Sequence, residues 1–234
     1  MRQMAESDGN TEAFCATAVG LMNIPLLAPF EESDWESVAT AFEHAPSLAL
    51  GQAWREKPEE NFRPGTVRIG WQPDALVILA HLQDDALFTA ATGDNQLLWS
   101  LGDVFEIFLR DLEREEYLEL HITPKGHRLQ LRFPGSQAIQ DLRSGQNTLK
   151  DYMIDAPIFD FSIRTVSGGW AIRARVPLAS LGIPGERKSG MALLASFGRY
   201  DYADEKSPPV LSSTSAHEEL NYHRQQEWTR LDLV

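Results

Sequence analysis

Trp99-Ser100-Leu101-Gly102-Asp103-Val104-Phe105-Glu106-Ile107-Phe108-Leu109 is the stretch on which the fold turns. After the Leu101-Gly102 turn comes a short run of large β-formers, which reads as a strand buried on both faces. Such a strand belongs in the middle of a packed sheet. Glu106 interrupts the run. A carboxylate between apolar neighbours has to be paired, hydrogen-bonded, metal-bound or turned to a wet face. If it faces inward, Arg199, Arg132 or Arg173 is the expected partner.

Outward from this strand the period is two. Residues 66–71 and 75–82 form a hairpin around Gln72-Pro73-Asp74. A long connection over 86–100 leads to the opening strand, and a charged loop over 111–115 leads away from it. Residues 117–123 and 128–133 flank the turn Pro124-Lys125-Gly126-His127. Face by face, Leu118, Leu120 and Ile122 match Leu129, Leu131 and Phe133 as core. Tyr117, Glu119 and His121 match Arg128, Gln130 and Arg132 as a polar face.

Residues 134–157 read as a loop without clear period. Residues 158–166 and 170–176 form a further hairpin, and 178–181 a helical turn closed by Gly182. Strands follow at 191–200 and 227–234. Upstream, Ser33-Asp34-Trp35-Glu36 matches a capping box, with Trp35, Val38, Ala39 and Phe42 at helical spacing. This predicts a short helix over 34–44, although Val38, Thr40 and Phe42 also alternate as a strand would. Residues 14–30 suit an edge strand and a Pro-rich entry, and the polar residues 1–13 are expected to be disordered. The sum is nine or ten strands with little helix: an all-β, single antiparallel β-sandwich of jelly-roll or immunoglobulin-like type, forming one domain over 14–234.

The chain has 234 residues, 43% of them hydrophobic, enough for a sizeable core, and a formal net charge of −13. A surface that acidic disfavours nucleic acid and anionic membranes as partners, while neutral saccharides and divalent cations remain compatible. Cys15 is the single cysteine, so no internal disulfide can form. No run reaches transmembrane length, and the acidic segment ahead of residue 14 is unlike a signal peptide.

The order of pieces resembles a known family. Asp84-Asp85 closes a strand. Gly102-Asp103-Val104-Phe105-Glu106-Ile107-Phe108, Tyr117-Leu118-Glu119 and His121-Ile122-Thr123-Pro124 follow. Later come Gly169-Trp170-Ala171-Ile172, Val176-Pro177-Leu178, Leu181-Gly182 and Phe197-Gly198-Arg199-Tyr200. Over residues 35–234 this resembles the family 9 carbohydrate-binding modules of bacterial type and their uncharacterised relatives among the DOMON-like β-sandwiches. The resemblance implies a β-sandwich, a non-catalytic carbohydrate-binding role with an oligo- or polysaccharide partner, an extracellular or periplasmic setting, and structural calcium in some members.

Candidate chemistry follows the same lines. Sugar rings stack on aromatic faces, and their hydroxyls need paired donors and acceptors. Trp71 and Trp99 sit at strand ends or in loops and Tyr200 opens a loop, all suited to a rim site; the plainer reading caps the core with each Trp. Glu106, Glu119, His121, Arg132, Arg199 and His223 are the polar candidates. Trp170 and Trp228 read as core. Asp84, Asp85 and Asp103 lie at strand ends where calcium ligands often gather, against the plainer reading of solvated turn carboxylates. No Met/His pair is fixed for haem. There is no nucleophile-elbow, P-loop or dinucleotide fingerprint. A glycoside hydrolase or lyase using Glu106 with a partner carboxylate or His121 is the catalytic alternative, and a protein-interaction module without a small ligand is the third.

Overall fold

The structure is a computed structural model that describes residues 20–183 and 189–234; the expected disordered segment 1–13 and Cys15 lie outside the described residues. Twelve strands are found among those described: β1 (Leu21–Ile24), β2 (Ser47–Ala49), β3 (Gly65–Gln72), β4 (Ala75–Gln83), β5 (Val104–Asp111), β6 (Tyr117–Ile122), β7 (Arg128–Phe133), β8 (Asp160–Val166), β9 (Gly169–Pro177), β10 (Ala192–Asp201), β11 (Val210–Ser213) and β12 (Thr229–Leu233). They form two sheets packed face to face. The first runs β1-β12-β10-β5-β6-β7, with β11 also on β10; the second runs β2-β3-β4-β9-β8. All pairs are antiparallel except β1 with β12. This is the all-β sandwich expected.

Between the sheets, Phe105, Ile107 and Leu109 of β5 meet Ile69 and Trp71 of β3 and the apolar runs of β4 and β9. Phe105 stacks on Phe197 of the neighbouring β10 with ring centroids 6.0 Å apart. β5 is buried on its other face too. There Val104 and Phe108 join Tyr117, Leu129, Leu131, Phe133, Tyr152, Tyr222 and Trp228 in a second, largely aromatic cluster. A central strand buried on both sides needs such a second layer, and the chain builds it from its less regular segments. Helix α2 (Gln137–Arg143) adds Ala138 and Ile139 to that cluster.

The second sheet is covered as well. Helix α1 (Trp35–Ala41) puts Val38, with Phe42 just beyond it, against Val77 and Leu79. Its cap is Asp34, whose side chain accepts from the Glu36 N–H at 2.9 Å, one residue later than the capping box placed it. Strands β2 and β11 and helix α2 go beyond the sequence reading.

The hairpin β6–β7 corrects one expectation. Ile122 pairs with Arg128 and Tyr117 with Phe133, so residues of equal parity face each other. Leu129, Leu131 and Phe133 therefore share a face with Tyr117, Glu119 and His121, not with Leu118, Leu120 and Ile122. A shift of one residue in pairing exchanges the faces of a whole strand. Gln130 consequently lies on the inner side of an edge strand, where its side chain donates to Ile154 O and accepts from the Ile158 N–H.

Candidate functional site

Two carboxylate clusters touch the first sheet, and Asp84 of the second cluster arrives from the end of β4 in the other sheet. The first cluster lies on the outer face of the first sheet. Glu106 of β5 stands directly across from His121 of β6, and Glu119 is two residues along on the same face. His121 Nε2 is 2.7 Å from Glu119 Oε1 and 3.4 Å from Glu106 Oε1. His121 is fully buried and the two carboxylates nearly so. Glu106 thus has an imidazole for its partner, and none of the three arginines considered. Arg132 bonds Glu116 and the Ser180 carbonyl, Arg173 pairs with Glu32, and Arg199 belongs to the other cluster.

Burial pushes the Glu106 carboxyl up to about 8 against the opposing pull of His121. Burial also acts to raise Glu119, but the His121 hydrogen bond and the nearby His223 and His121 charges hold it below the usual range. Burial works against the imidazolium of His121, and the two carboxylates overcome it, raising its pKa. The cluster therefore shares its protons unequally: Glu119 gives one up and Glu106 keeps one.

Above the carboxylates is a cavity of about 380 Å³, with Trp99, Tyr200, Tyr222 and His223 in its wall. Trp99 comes from the connection before β5 and lies edge-on to the His121 ring, 5.5 Å between centroids. His223 Nδ1 is hydrogen-bonded to Tyr117 Oη at 2.9 Å and lies 3.8 Å from Glu119 Oε2. Gly198 of β10 pairs with Glu106, and a methyl there would come within 2.9 Å of the Tyr222 ring and 3.2 Å of Glu106 Oε2. The missing side chain is what leaves room beside Glu106.

The second cluster closes one end of the inter-sheet core. Arg199, with no exposed surface, reaches Asp84 Oδ2 at 3.0 Å and Asp201 Oδ1 at 3.1 Å. Asp103 accepts from the Phe88 N–H at 2.6 Å and the Tyr202 N–H at 2.8 Å, and Asp84 Oδ1 accepts from the Ala86 N–H at 2.8 Å. Burial raises Asp103 to about 7 and Asp201 to about 6. Asp85, one residue from Asp84, points the other way and is bonded to Arg63 at the surface.

Calcium, implied by the family resemblance, does not fit this donor set. The positive charge among these carboxylates is the guanidinium of Arg199, and only the second Asp201 oxygen is left uncommitted by these contacts. Calcium takes six to eight oxygens at about 2.3–2.6 Å. The cluster reads instead as a saturated internal ion pair.

Of the residues singled out from sequence, the fold brings Trp99, Glu106, Glu119, His121, Tyr200 and His223 together. It keeps Trp71, Arg132 and Arg199 apart from them. Trp71 is only 4% exposed, lies among the inter-sheet residues and donates its indole N–H to Val234 O at 3.1 Å, so it offers no face to a ligand. Tyr222, Phe108 and Gly198 went unnoticed as site residues. The parity of Phe108 with Glu106 was a usable signal; the return of Tyr222 from a distant loop gave none.

No protein-family model matches the chain, and no curated protein sequence matches it. Solved structures do. A proposed carbohydrate-binding protein from Bacteroides uniformis superposes with a TM-score of 0.69 at 12% identity, covering 93% of this chain and all of that one. A family 9 carbohydrate-binding module from Caldicellulosiruptor kristjanssonii, in complex with cellotriose, gives 0.62 at 13% identity over 91% of this chain and 93% of that one. The same kind of module with glucose gives 0.60 at 13%, over 92% and 95%. At these identities the likeness is one of fold.

Proposed function

We propose that this chain is a non-catalytic carbohydrate-binding module that holds a neutral saccharide in the cavity on the outer face of the first sheet. One observation carries the reading: half-buried Trp99 and Tyr200 stand over a floor made by Glu106 and Glu119 in a concave space of about 380 Å³. That volume and that mixture of aromatic walls with a few converging polar groups suit a sugar ring. Trp99 supplies the stacking face. Glu119 accepts hydroxyl hydrogens, and a protonated Glu106 can donate as well as accept. The likeness in fold to modules with cellotriose and glucose supports the same reading.

The lining argues against hydrolysis. Glu106 and Glu119 are the only carboxylates lining the cavity among the described residues, and they stand side by side on one sheet face. Hydrolysis needs carboxyl groups on opposite sides of the scissile bond.

The test is a glycan array followed by titration calorimetry of the best ligand on wild type and Trp99→Ala. The expected outcome is saturable binding to a neutral glycan, weakened at least tenfold in Trp99→Ala, with the fold intact by circular dichroism. Failure to bind any glycan on the array sinks the reading. Binding unchanged in Trp99→Ala moves the site elsewhere.

A further inference from the structure

The outer-face cluster has more acceptors than donors. An imidazole nitrogen carries one proton, and His121 Nε2 directs it at Glu119 Oε1, 2.7 Å away. Glu106 Oε1, at 3.4 Å, is left with a poor contact, and no hydrogen bond to either Glu106 oxygen is found among the described residues. The second Glu119 oxygen is buried in the cavity floor with no hydrogen-bond partner among the described residues, the His223 nitrogen 3.8 Å away being bonded to Tyr117. A buried carboxylate oxygen in that condition is costly, and the cost is met by a proton, a donor or a cation.

We infer that Glu106, Glu119 and His121 form a binding site for a divalent first-row transition-metal ion such as Zn²⁺ or Co²⁺. One ligating atom from each lies within 4.8 Å of the other two, close enough for one ion to draw them together with small side-chain rotations. Two carboxylates and a neutral imidazole balance a double positive charge, so the filled site buries no net charge. The imidazole sets the class of metal: nitrogen with carboxylate suits zinc, cobalt and their neighbours, whereas calcium and magnesium take oxygen.

The scaffold is prepared for this. All three ligands stand on two hydrogen-bonded strands at the centre of a sheet, where backbone positions are fixed. The His121 ring is held by the edge contact with Trp99, and the space beside Glu106 is kept open by Gly198. The cavity, whose lining includes Glu106 and Glu119, gives an ion its way in. The Asp84, Asp103 and Asp201 group also brings three carboxylates within 4.8 Å, but it already holds Arg199. The inference does not rest on the carbohydrate reading and would outlive it.

The experiment titrates Co²⁺ into the chelator-stripped full chain and follows the visible d–d absorption, with Zn²⁺ calorimetry in parallel. The expected result is one ion per chain, an affinity at least tenfold lower in Glu106→Gln and in Glu119→Gln, and unchanged affinity in Asp201→Asn. Zn²⁺ should raise the melting temperature of wild type more than that of Glu106→Gln, which loses no hydrogen bond and is expected to fold. Absence of saturable binding overturns the inference. So does one-ion binding that survives both glutamine variants but is lost in Asp201→Asn, which would place the ion among the aspartates.

Discussion

The two carboxylate clusters are built from similar parts and end in opposite conditions. At the end of the inter-sheet core, Asp84, Asp103 and Asp201 surround a guanidinium and take three backbone N–H groups. On the outer face, Glu106 and Glu119 share one imidazole and leave a buried oxygen bare beneath a cavity. The first arrangement has little capacity left for a ligand. The second has acceptors to spare and an opening through which to use them. Acidic residues alone therefore say little about function; what matters is how much of their hydrogen-bonding capacity the fold has already consumed.

That contrast can be broken most forcefully at Arg199. Arg199→Met should strand Asp84 and Asp201 without a counter-charge and cost about 3–5 kcal/mol in urea unfolding, as removal of one member of a buried pair does. Saccharide affinity per folded molecule should not change. A loss below about 1 kcal/mol would mean the cluster finds another cation, and the contrast between the two clusters would fail.

The next effect is a slope. The folded chain holds the Asp201 proton up to about pH 6, burial being the main cause. An unfolded Asp releases its proton near pH 4, so folding takes up a proton between those values, and the stability this group adds in acid is lost as the pH rises. Wild type should therefore lose stability relative to Asp201→Asn, by on the order of 1–3 kcal/mol, as the pH climbs from about 4 to about 7. Urea unfolding of both proteins across that range measures it, and parallel curves would count against the assignment.

On the outer face, Glu106→Gln removes a buried acid that accepts no good hydrogen bond. Its stability cost at neutral pH should stay under about 1 kcal/mol, a fraction of that at Arg199. A cost as large as that of Arg199→Met would show Glu106 to be structural after all. The smallest effect belongs to Asp85, paired with Arg63 at the surface. Asp85→Asn should change stability by less than about 0.5 kcal/mol, and thermal melts in low and high salt would expose any larger role.

The sandwich was legible because its strands read as short alternating or wholly apolar runs and its turns are marked by Gly, Pro and Asp. Helix α2 was not, since its seven residues carry no clear apolar stripe and are held by contact of Ala138 and Ile139 with a distant aromatic cluster. The site was half legible. Glu106 announced itself as a charge in an apolar run, but the parity of its pairing across the 111–115 loop could not be read, and that parity is what puts His121 opposite it. The same uncertainty at the 123–127 turn assigned the wrong faces to β7. Asp84 and Asp85 looked equivalent in the sequence, but just past the end of β4 they turn opposite ways, one to Arg199 and one to Arg63. Asp201 was missed because the strand that carries it lies more than a hundred residues further along the chain.

Strand β12 reaches both layers of the molecule at once. Leu231 and Leu233 complete the packing between the sheets, and Trp228, just before them, lies in the aromatic layer beneath the cavity with its indole N–H on Tyr222 O at 2.8 Å. Along one edge β12 also clasps β1, from the other end of the described chain. On the ribosome this strand emerges after almost everything it binds, so neither the inner packing nor the wall that carries Tyr222 can close until then. Assembly must follow synthesis over a contact spanning some two hundred residues, a topology that folds slowly and leaves strand edges waiting. Premature termination ahead of Trp228 would thus yield a chain with both layers open, a natural substrate for chaperones or proteases.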